Sequence, residues 1–361
     1  MSDYFPAELQ SAILQKLPVK SLIRFTTVCK SWRSIITSPN FIQSHLSEGK
    51  NHTQILLKRF DQTDEREHFS LLNLVAENGA LSVNSSSHLE FPVKSRTACS
   101  PIVGCCDGVV CLLETCSARS SPKDVILWNP SIRTHLVLPT PTINPKESHM
   151  VVLGFGSDAN HAHHKVVRLV YKPNDFGAEV FSVKTRSWRR LSGGVGVALR
   201  ALKTGYCQAY CQAFLNGVVH WLALNPVDRR ASFLAFDVGD EVFGEVMLPD
   251  CLASECLKML CIFVIGESLG VVKYNKGYES WDVWAMKEYR VKESWTKMYT
   301  VEVSARVVGF RNSGEALLAL RSLGLVVYNL KTKQMQSEDL GIYGCTMLFY
   351  VDNYVESLLL L

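Results

Sequence analysis

Apolar residues recur about every four positions in the first 48 residues and tend to alternate with polar ones over much of the remainder, so the chain divides into a helical block and a β-patterned body. Phe5, Leu9, Ile13 and Leu17 form one helical stripe, with Leu14 beside it. Pro6 suits the first turn of that helix, where a missing N–H costs nothing, and Pro18 stops it. A second helix is expected with Ser21 as its N-cap and Leu22, Phe25 and Val28 on one side. Trp32, Ile35 and Ile36 continue the pattern in a third segment that ends before Pro39, and Phe41, Ile42 and Leu46 add one more turn. That is about a dozen large apolar groups, each worth ~1.5–3 kcal/mol when fully buried. Three short helices cannot cover them alone. The surplus points to a partner surface. Charge agrees: no acid lies between Glu8 and Glu48, whereas Lys16, Lys20, Arg24, Lys30 and Arg33 do, a basic rim suited to an acidic partner. Two other readings compete. The block could cap this chain's own β-region, or act as a helix-turn-helix DNA reader through Lys30, Trp32 and Arg33. Cations spread over the whole block weigh against the second.

Beyond residue 48 five segments share one design: an apolar strand carrying an aromatic, a polar turn, then a second strand. Their anchors, Trp128, Phe181, Phe236, Trp284 and Tyr328, stand 53, 55, 48 and 44 residues apart, close to the period of propeller blades. Glycine turns precede them, as at Asp107-Gly108, Asn216-Gly217 and Ser313-Gly314; Asp-Gly and Asn-Gly supply the positive φ of tight hairpins. Two hairpins per repeat make one four-stranded blade. Ile55–Leu57 and Phe69–Leu74 supply another blade, and Thr346–Leu361 is expected to close the ring by joining it, with Leu358–Leu361 ending the last strand. The fold class expected is therefore mainly β: a small helical block, then a propeller-like domain of about six blades, seven being the next choice. A twisted β-sandwich is the alternative architecture.

Composition narrows function. Of 361 residues, 47% are hydrophobic and 20% charged, as in a globular chain, and a net charge of +4 is too mild for a typical nucleic-acid binder. No window is long and apolar enough for a membrane span, and no secretory leader is visible, so the twelve cysteines are expected as reduced thiols of a cytoplasmic or nuclear protein. No CxxC pair marks a zinc site.

Catalytic motifs are present in letter and lack context. Gly266-Glu267-Ser268-Leu269-Gly270 matches a nucleophile elbow, yet a strand-like run follows where a helix is needed, so a hairpin turn is expected. Gly154-Phe155-Gly156-Ser157-Asp158-Ala159 resembles a dinucleotide fingerprint but is expected as a glycine-bearing loop. His161, His163 and His164 follow it and are expected in a solvated loop, since no cysteine or carboxylate stands at ligand spacing in sequence.

The helical block closely resembles an F-box. The resemblance rests on Phe5-Pro6-Ala7-Glu8, on Ile13 through Leu22 and on Val28-Cys29-Lys30-Ser31-Trp32-Arg33; Phe5-Pro6 replaces the usual Leu-Pro opening. The body resembles the plant F-box-associated interaction domain, through Gly104 to Gly108, Leu127 to Pro139, Lys165 to Leu169, Ser187-Trp188-Arg189, Asn216 to Trp221, Trp284 to Tyr289 and Ser294-Trp295. This implies an F-box over residues 1–48 and a substrate-binding domain over 49–361. It implies a substrate-recognition subunit of a Skp–cullin–F-box ubiquitin ligase that recruits a client protein and is not itself an enzyme. No catalytic residue, cofactor, metal, nucleic acid or membrane is implied. The adaptor-binding residues would be Phe5, Pro6, Leu9, Ile13, Leu17, Pro18, Leu22, Val28 and Trp32, partly to grip the adaptor and partly to hold the block together. Two other functional readings are a propeller scaffold or ligand-binding protein acting outside any ligase, and a propeller enzyme, which a pocket on the central axis with convergent titratable groups would favour. Client-binding loops are expected among Pro139–Ser148, Ser157–His164, Gly193–Gly205 and Pro249–Glu255.

Overall fold

The computed structural model describes residues 6–49, 54–77, 80–91, 101–114, 124–144, 150–160, 163–172, 175–191, 200–201, 212–225, 227–275, 277, 279–322, 324–336 and 340–360. Four helices open the chain: α1 (Ala7–Gln15), α2 (Val19–Phe25), α3 (Lys30–Ile36) and α4 (Pro39–Gly49). Pro6 is the N-cap of α1. Pro18, with extended backbone, caps α2, so Ser21 lies inside that helix instead of capping it. The Cys29 sulfur accepts from the Trp32 N–H at the start of α3. The turn expected around Phe41 is instead α4, at eleven residues the longest helix of the block.

The strands form six sheets. The second contains β4 (Ile102–Cys106), β5 (Val109–Glu114), β6 (Asp124–Asn129) and β7 (Thr134–Val137). The third contains β8 (Met150–Ser157), β9 (His164–Lys172), β10 (Asp175–Ser182) and β11 (Ser187–Arg190). The fourth adds a short pairing to its meander: β12 (Arg200–Ala201), β13 (Gln212–Leu215), β14 (Val218–Leu224), β15 (Ala231–Asp237) and β16 (Phe243–Met247). The fifth runs β17 (Leu260–Ile265), β18 (Ser268–Tyr274), β19 (Trp281–Met286) and β20 (Trp295–Val301). The sixth runs β21 (Arg306–Phe310), β22 (Ala316–Leu320), β23 (Gly324–Asn329) and β24 (Gln334–Met335). The first is composite: β1 (Gln54–Asp61), β2 (Arg66–Glu77) and β3 (Ala80–Leu89) are completed by β25 (Tyr350–Tyr354), whose Val351 pairs with Leu57. The last strand thus closes a six-bladed propeller, as the sequence leads one to expect. Leu358–Leu360, however, lie beyond that strand and do not end it.

Each gap between neighbouring blades holds its own apolar core, which explains the 44–55-residue period. The five anchor aromatics all stand on the third strand of their blade, and each packs toward the blade before it. Trp128 joins Phe69 and Leu71 of the first blade, and Phe181 joins Leu113 and Val125 of the second. Phe236 meets Val167 and Leu169, Trp284 meets the core around Phe233, and Tyr328 meets Trp281. Middle strands such as β5 and β22 are buried on both faces and accordingly read as apolar runs without alternation.

Asp107-Gly108 and Asn216-Gly217 carry paired positive φ values, 51° and 77°, then 50° and 79°, and make the tight turns between first and second strands. The fingerprint-like glycines are a correction: Gly154 and Gly156 lie within β8, not in a loop. A Cβ on Gly154 would collide with Trp221 Cζ2, and one on Gly156 with the Phe214 ring. Both glycines make room for an aromatic of the fourth blade. Because Trp221 is fully buried and donates its indole N–H to the Leu153 carbonyl at 2.8 Å, it cannot yield. Gly154→Ala should therefore cost about 1–3 kcal/mol in urea denaturation, the usual range for overpacking. An unchanged midpoint would show that this blade contact is slack.

Candidate docking surfaces

Burial sorts the helical block into two sets. Leu14, Val19, Leu22, Ile36 and Phe41 form its interior. Leu22 is 0% exposed, so its work is holding helices together. Leu9, Ile13 and Val28 are 51%, 54% and 61% exposed. Of the stripe seen in sequence, Leu9 and Ile13 are thus the outer face of α1, Leu14 beside them is the inner one, and Leu17, beyond the helix, packs against the interior. Leu17 and Trp32 are half-buried, and Pro6 and Pro18 are exposed. Trp32 packs on Phe25 at 5.1 Å between ring centroids and donates from Nε1 to Gln10 Oε1 at 3.1 Å. Phe5 lies outside the described residues. Lys30 and Arg33 border an open hollow of about 600 Å³ beside Thr26, Thr27 and Cys29.

The interior of the block is closed by the end of the chain. Leu358 joins the core of Leu14, Leu22 and Phe41, with Ile132 against its edge. The neighbouring Leu359 and Leu360 pack instead into the core between the second and third blades. Asn129, fully buried, clamps this tail: its Nδ2 donates to the Ser357 carbonyl at 2.9 Å and to the Leu359 carbonyl at 2.8 Å. Gln43 Nε2 adds a hydrogen bond to the Asn160 carbonyl at 2.6 Å. His45 Nε2 donates to the Leu17 carbonyl at 2.9 Å. The cap reading of the sequence is therefore half right: one side of the block packs on this chain's own propeller, and Leu9, Ile13 and Val28 stay outside the contact. Leu358→Ala should cost about 2–5 kcal/mol and release the helices first. Hydrogen exchange would rise in α1–α4 before the propeller strands; uniform loosening would contradict this.

Strand order assigns each loop to a face. First-to-second and third-to-fourth turns share one face with the tail and the entry to β1, so the helical block must sit there. Second-to-third turns and blade-to-blade connections form the opposite face. Of the four loops expected to bind a client, Ser157–His164 falls on the helical side, between β8 and β9. Of the other three, the described residues 139–144, Arg200–Ala201 and Pro249–Glu255 lie between blades on the free face; residues 145–148, 161–162, 193–199 and 202–205 are outside the described residues. Pro249–Glu255 holds one helical turn, α5 (Asp250–Ala253), with Asp250 exposed between Arg230 and Lys292. The start of the Pro139 loop is strapped down. Glu179, 0% exposed, accepts from the Thr142 and Ile143 N–H groups at 2.9 and 3.1 Å and pairs with Arg168. Trp188 Nε1 donates to the Pro139 carbonyl at 2.7 Å.

A small cavity of about 240 Å³ lies on the propeller axis among the inner strands, bordered by Cys105, Gln212, Phe263, Phe310, Asp352 and Asn353. Burial pushes the Asp352 carboxyl up to about 6, against the hydrogen bonds it accepts from the Tyr350 hydroxyl and the Asn353 N–H. A carboxyl raised from 3.8 favours the fold most below its unfolded value and loses that contribution as pH rises through about 6. Asp352→Asn should therefore be more stable than the parent at pH 8, on the order of 1–2 kcal/mol, and the gap should close by pH 4. Denaturation at the two pH values checks this; a pH-independent gap would remove Asp352 as the linked group.

The remaining motifs find plain places. Gly266 and Glu267 are the turn of the β17–β18 hairpin, as expected. His161 lies outside the described residues; His163 Nδ1 is 2.7 Å from Asp158 Oδ2. His164 is not in a solvated loop. It is buried at the start of β9, with Nε2 2.9 Å from Asp107 Oδ2 and with Cys106 nearby. Linear spacing could not show this, because those partners lie more than fifty residues upstream.

Comparison with known proteins agrees with this architecture. A family described as the F-box associated beta propeller domain matches residues 63–358, and the F-box domain family matches residues 4–44. An F-box/kelch-repeat protein of Arabidopsis thaliana is 30% identical over 336 residues, covering 90% of this chain and 87% of its own. The F-box protein CPR1 of Arabidopsis thaliana is 28% identical, covering 98% of this chain and 88% of its own. Among solved structures, TolB from Acinetobacter baumannii aligns over 85% of this chain and 69% of its own at 11% identity and a TM-score of 0.41, a likeness too weak to bear on function.

Proposed function

The chain belongs to the F-box proteins that carry an F-box associated β-propeller domain, and we propose on that footing that it is a substrate receptor of a Skp–cullin–F-box ubiquitin ligase. One observation carries the proposal: Leu9, Ile13 and Val28 remain exposed although the opposite side of the same helical block is closed by Leu358. A scaffold acting outside a ligase would have no use for that open apolar side. In this reading residues 1–48 dock a Skp-type adaptor, and through it a cullin, while residues 49–361 hold the client. Leu9, Ile13 and Val28 make the contact, with Pro6, Pro18 and Trp32 at its border and Lys30 and Arg33 meeting an acidic surface. Leu22 and Leu17 support it from within.

The client is a protein held on the face away from the helical block, where Pro249–Glu255 and the strapped start of the Pro139 loop lie. Rate gain would come from proximity, which raises the effective concentration of client lysines at a charged ubiquitin-conjugating enzyme. The chain needs no catalytic group for that role, and its place of work would be the cytoplasm, the nucleus or both.

Co-purification of the full chain with a Skp-type adaptor tests the reading. Leu9→Asp with Ile13→Asp should abolish capture, because both side chains are exposed, and should leave the melting temperature within about 2 °C of the parent. Capture that survives this pair, or is absent from the parent, would refute the docking role.

A further inference from the structure

Beneath the helical block, four side chains from three strands and a turn meet at one point. Asp107 Oδ2 accepts from His164 Nε2 at 2.9 Å, from the Ser157 hydroxyl at 3.1 Å and from the Cys106 thiol at 3.4 Å. Cys106 Sγ and Ser157 Oγ are also 3.4 Å apart. All four residues are buried or nearly so; the His164 and Asp107 side chains are 7% and 6% exposed. One sulfur, one imidazole nitrogen and one carboxylate oxygen lie within 4.8 Å of one another.

We propose that Cys106, Asp107 and His164 are ligands of a divalent metal, zinc by their chemistry, with the Ser157 hydroxyl or a water at the fourth corner. Three arguments support it. Sulfur, nitrogen and oxygen donors together suit a borderline-soft ion, and zinc takes four such ligands tetrahedrally. Metal–ligand lengths of ~2.0–2.3 Å require edges of about 3.3–3.8 Å between ligand atoms. Asp107 Oδ2 stands 2.9 Å from His164 Nε2 and 3.4 Å from Cys106 Sγ, so coordination needs an outward shift of roughly 0.5 Å at the closer pair. Finally, the ligands ride on rigid backbone. Cys106 and Ser157 end the inner strands β4 and β8, His164 begins β9, and Asp107 opens a tight turn at φ 51°. Binding would replace the thiol proton, which leaves to solvent, and move the imidazole to its Nδ1–H tautomer.

The place of the site gives it a consequence. A Cβ on Gly108, the next residue of that turn, would collide with the Val355 carbonyl and stand 2.7 Å from Ser357 Oγ. The turn that carries Asp107 is thus pressed against the tail that seats the helical block. Metal bound there stiffens the joint between block and propeller. This inference does not depend on the proposed function.

The full chain, stripped with chelator and with exposed Cys29, Cys251 and Cys256 changed to Ser, should bind one equivalent of zinc alone in competition with an indicator of known affinity. Cobalt in its place should show a thiolate-to-metal charge-transfer band and the intense visible bands of a tetrahedral ion. Changes to groups that merely orient ligands already cost ~10–100-fold, so Cys106→Ala and His164→Gln should each weaken zinc binding by about 100-fold or more. Cys111→Ser, in the buried strand β5, should leave it unchanged. Absence of the charge-transfer band in the parent overturns the proposal whether or not the variants fold. So does zinc binding that persists in Cys106→Ala, or that is lost on Asp64→Asn, which would move the ion to Asp61, Asp64 and His68 on the β1–β2 turn.

Discussion

Closure of the ring by β25 is the constraint on which the rest of the molecule depends. A propeller whose first blade lacked its inner strand would leave the backbone of β1 unpaired on one side and a gap in the core between first and sixth blades. The chain meets this with its final strand, so the first blade forms only when both ends of the body are in place. The same move fixes the helical block. Its tether to β1 and the tail after β25 emerge on one face, and the tail supplies Leu358 as the floor of the helical core. Asn129 holds that tail from the second blade. Block, closure strand and second blade are therefore one mechanical unit.

Much of this was legible in the amino-acid sequence, for an identifiable reason. The anchors Trp128, Phe181, Phe236, Trp284 and Tyr328 could be read because each fills the same gap, on the same strand, toward the same neighbour. A repeated physical task leaves a repeated residue type at a repeated spacing. What could not be read depends on which of two neighbours a residue meets. Helical periodicity finds the stripe Leu9–Ile13 but cannot say that it faces outward while Leu14 faces in. Gly154 and Gly156 look like a loop in sequence, because their cause is an aromatic in another blade. Cys106, Asp107 and His164 share a point in space and no spacing in sequence.

The two faces of the propeller divide its labour. First-to-second and third-to-fourth turns face the helical block, and the former are tight at Asp107-Gly108 and Asn216-Gly217. Connections between blades face away, with the second-to-third turns. Their positions are held from beneath, as Glu179, Arg168 and Trp188 hold the Pro139 loop. A buried ion pair of this kind adds little net stability, but losing one partner is costly, so it serves to fix a loop in one place. His220 and Tyr289 do similar work between the fourth and fifth blades. His220 accepts from the Tyr289 hydroxyl at 2.7 Å while its Nδ1 donates to Ala213, and burial keeps it neutral by lowering its pKa to about 4.

Burial also separates two kinds of necessity within one short motif. Leu22 and Val19 must be apolar because the block would otherwise not fold, and their burial hides them from any partner. Leu9, Ile13 and Val28 are not needed for that core, and their exposure costs the isolated chain solubility. An apolar residue that the fold neither needs nor conceals is available to gain stabilisation by burial against a second molecule. Trp32 stands between the two sets: its ring packs on Phe25 and its N–H is met by Gln10, yet one edge stays open. Through Trp32 an adaptor's grip would be felt by α1 and α2, and through Leu22 and Leu358 by the propeller beneath them.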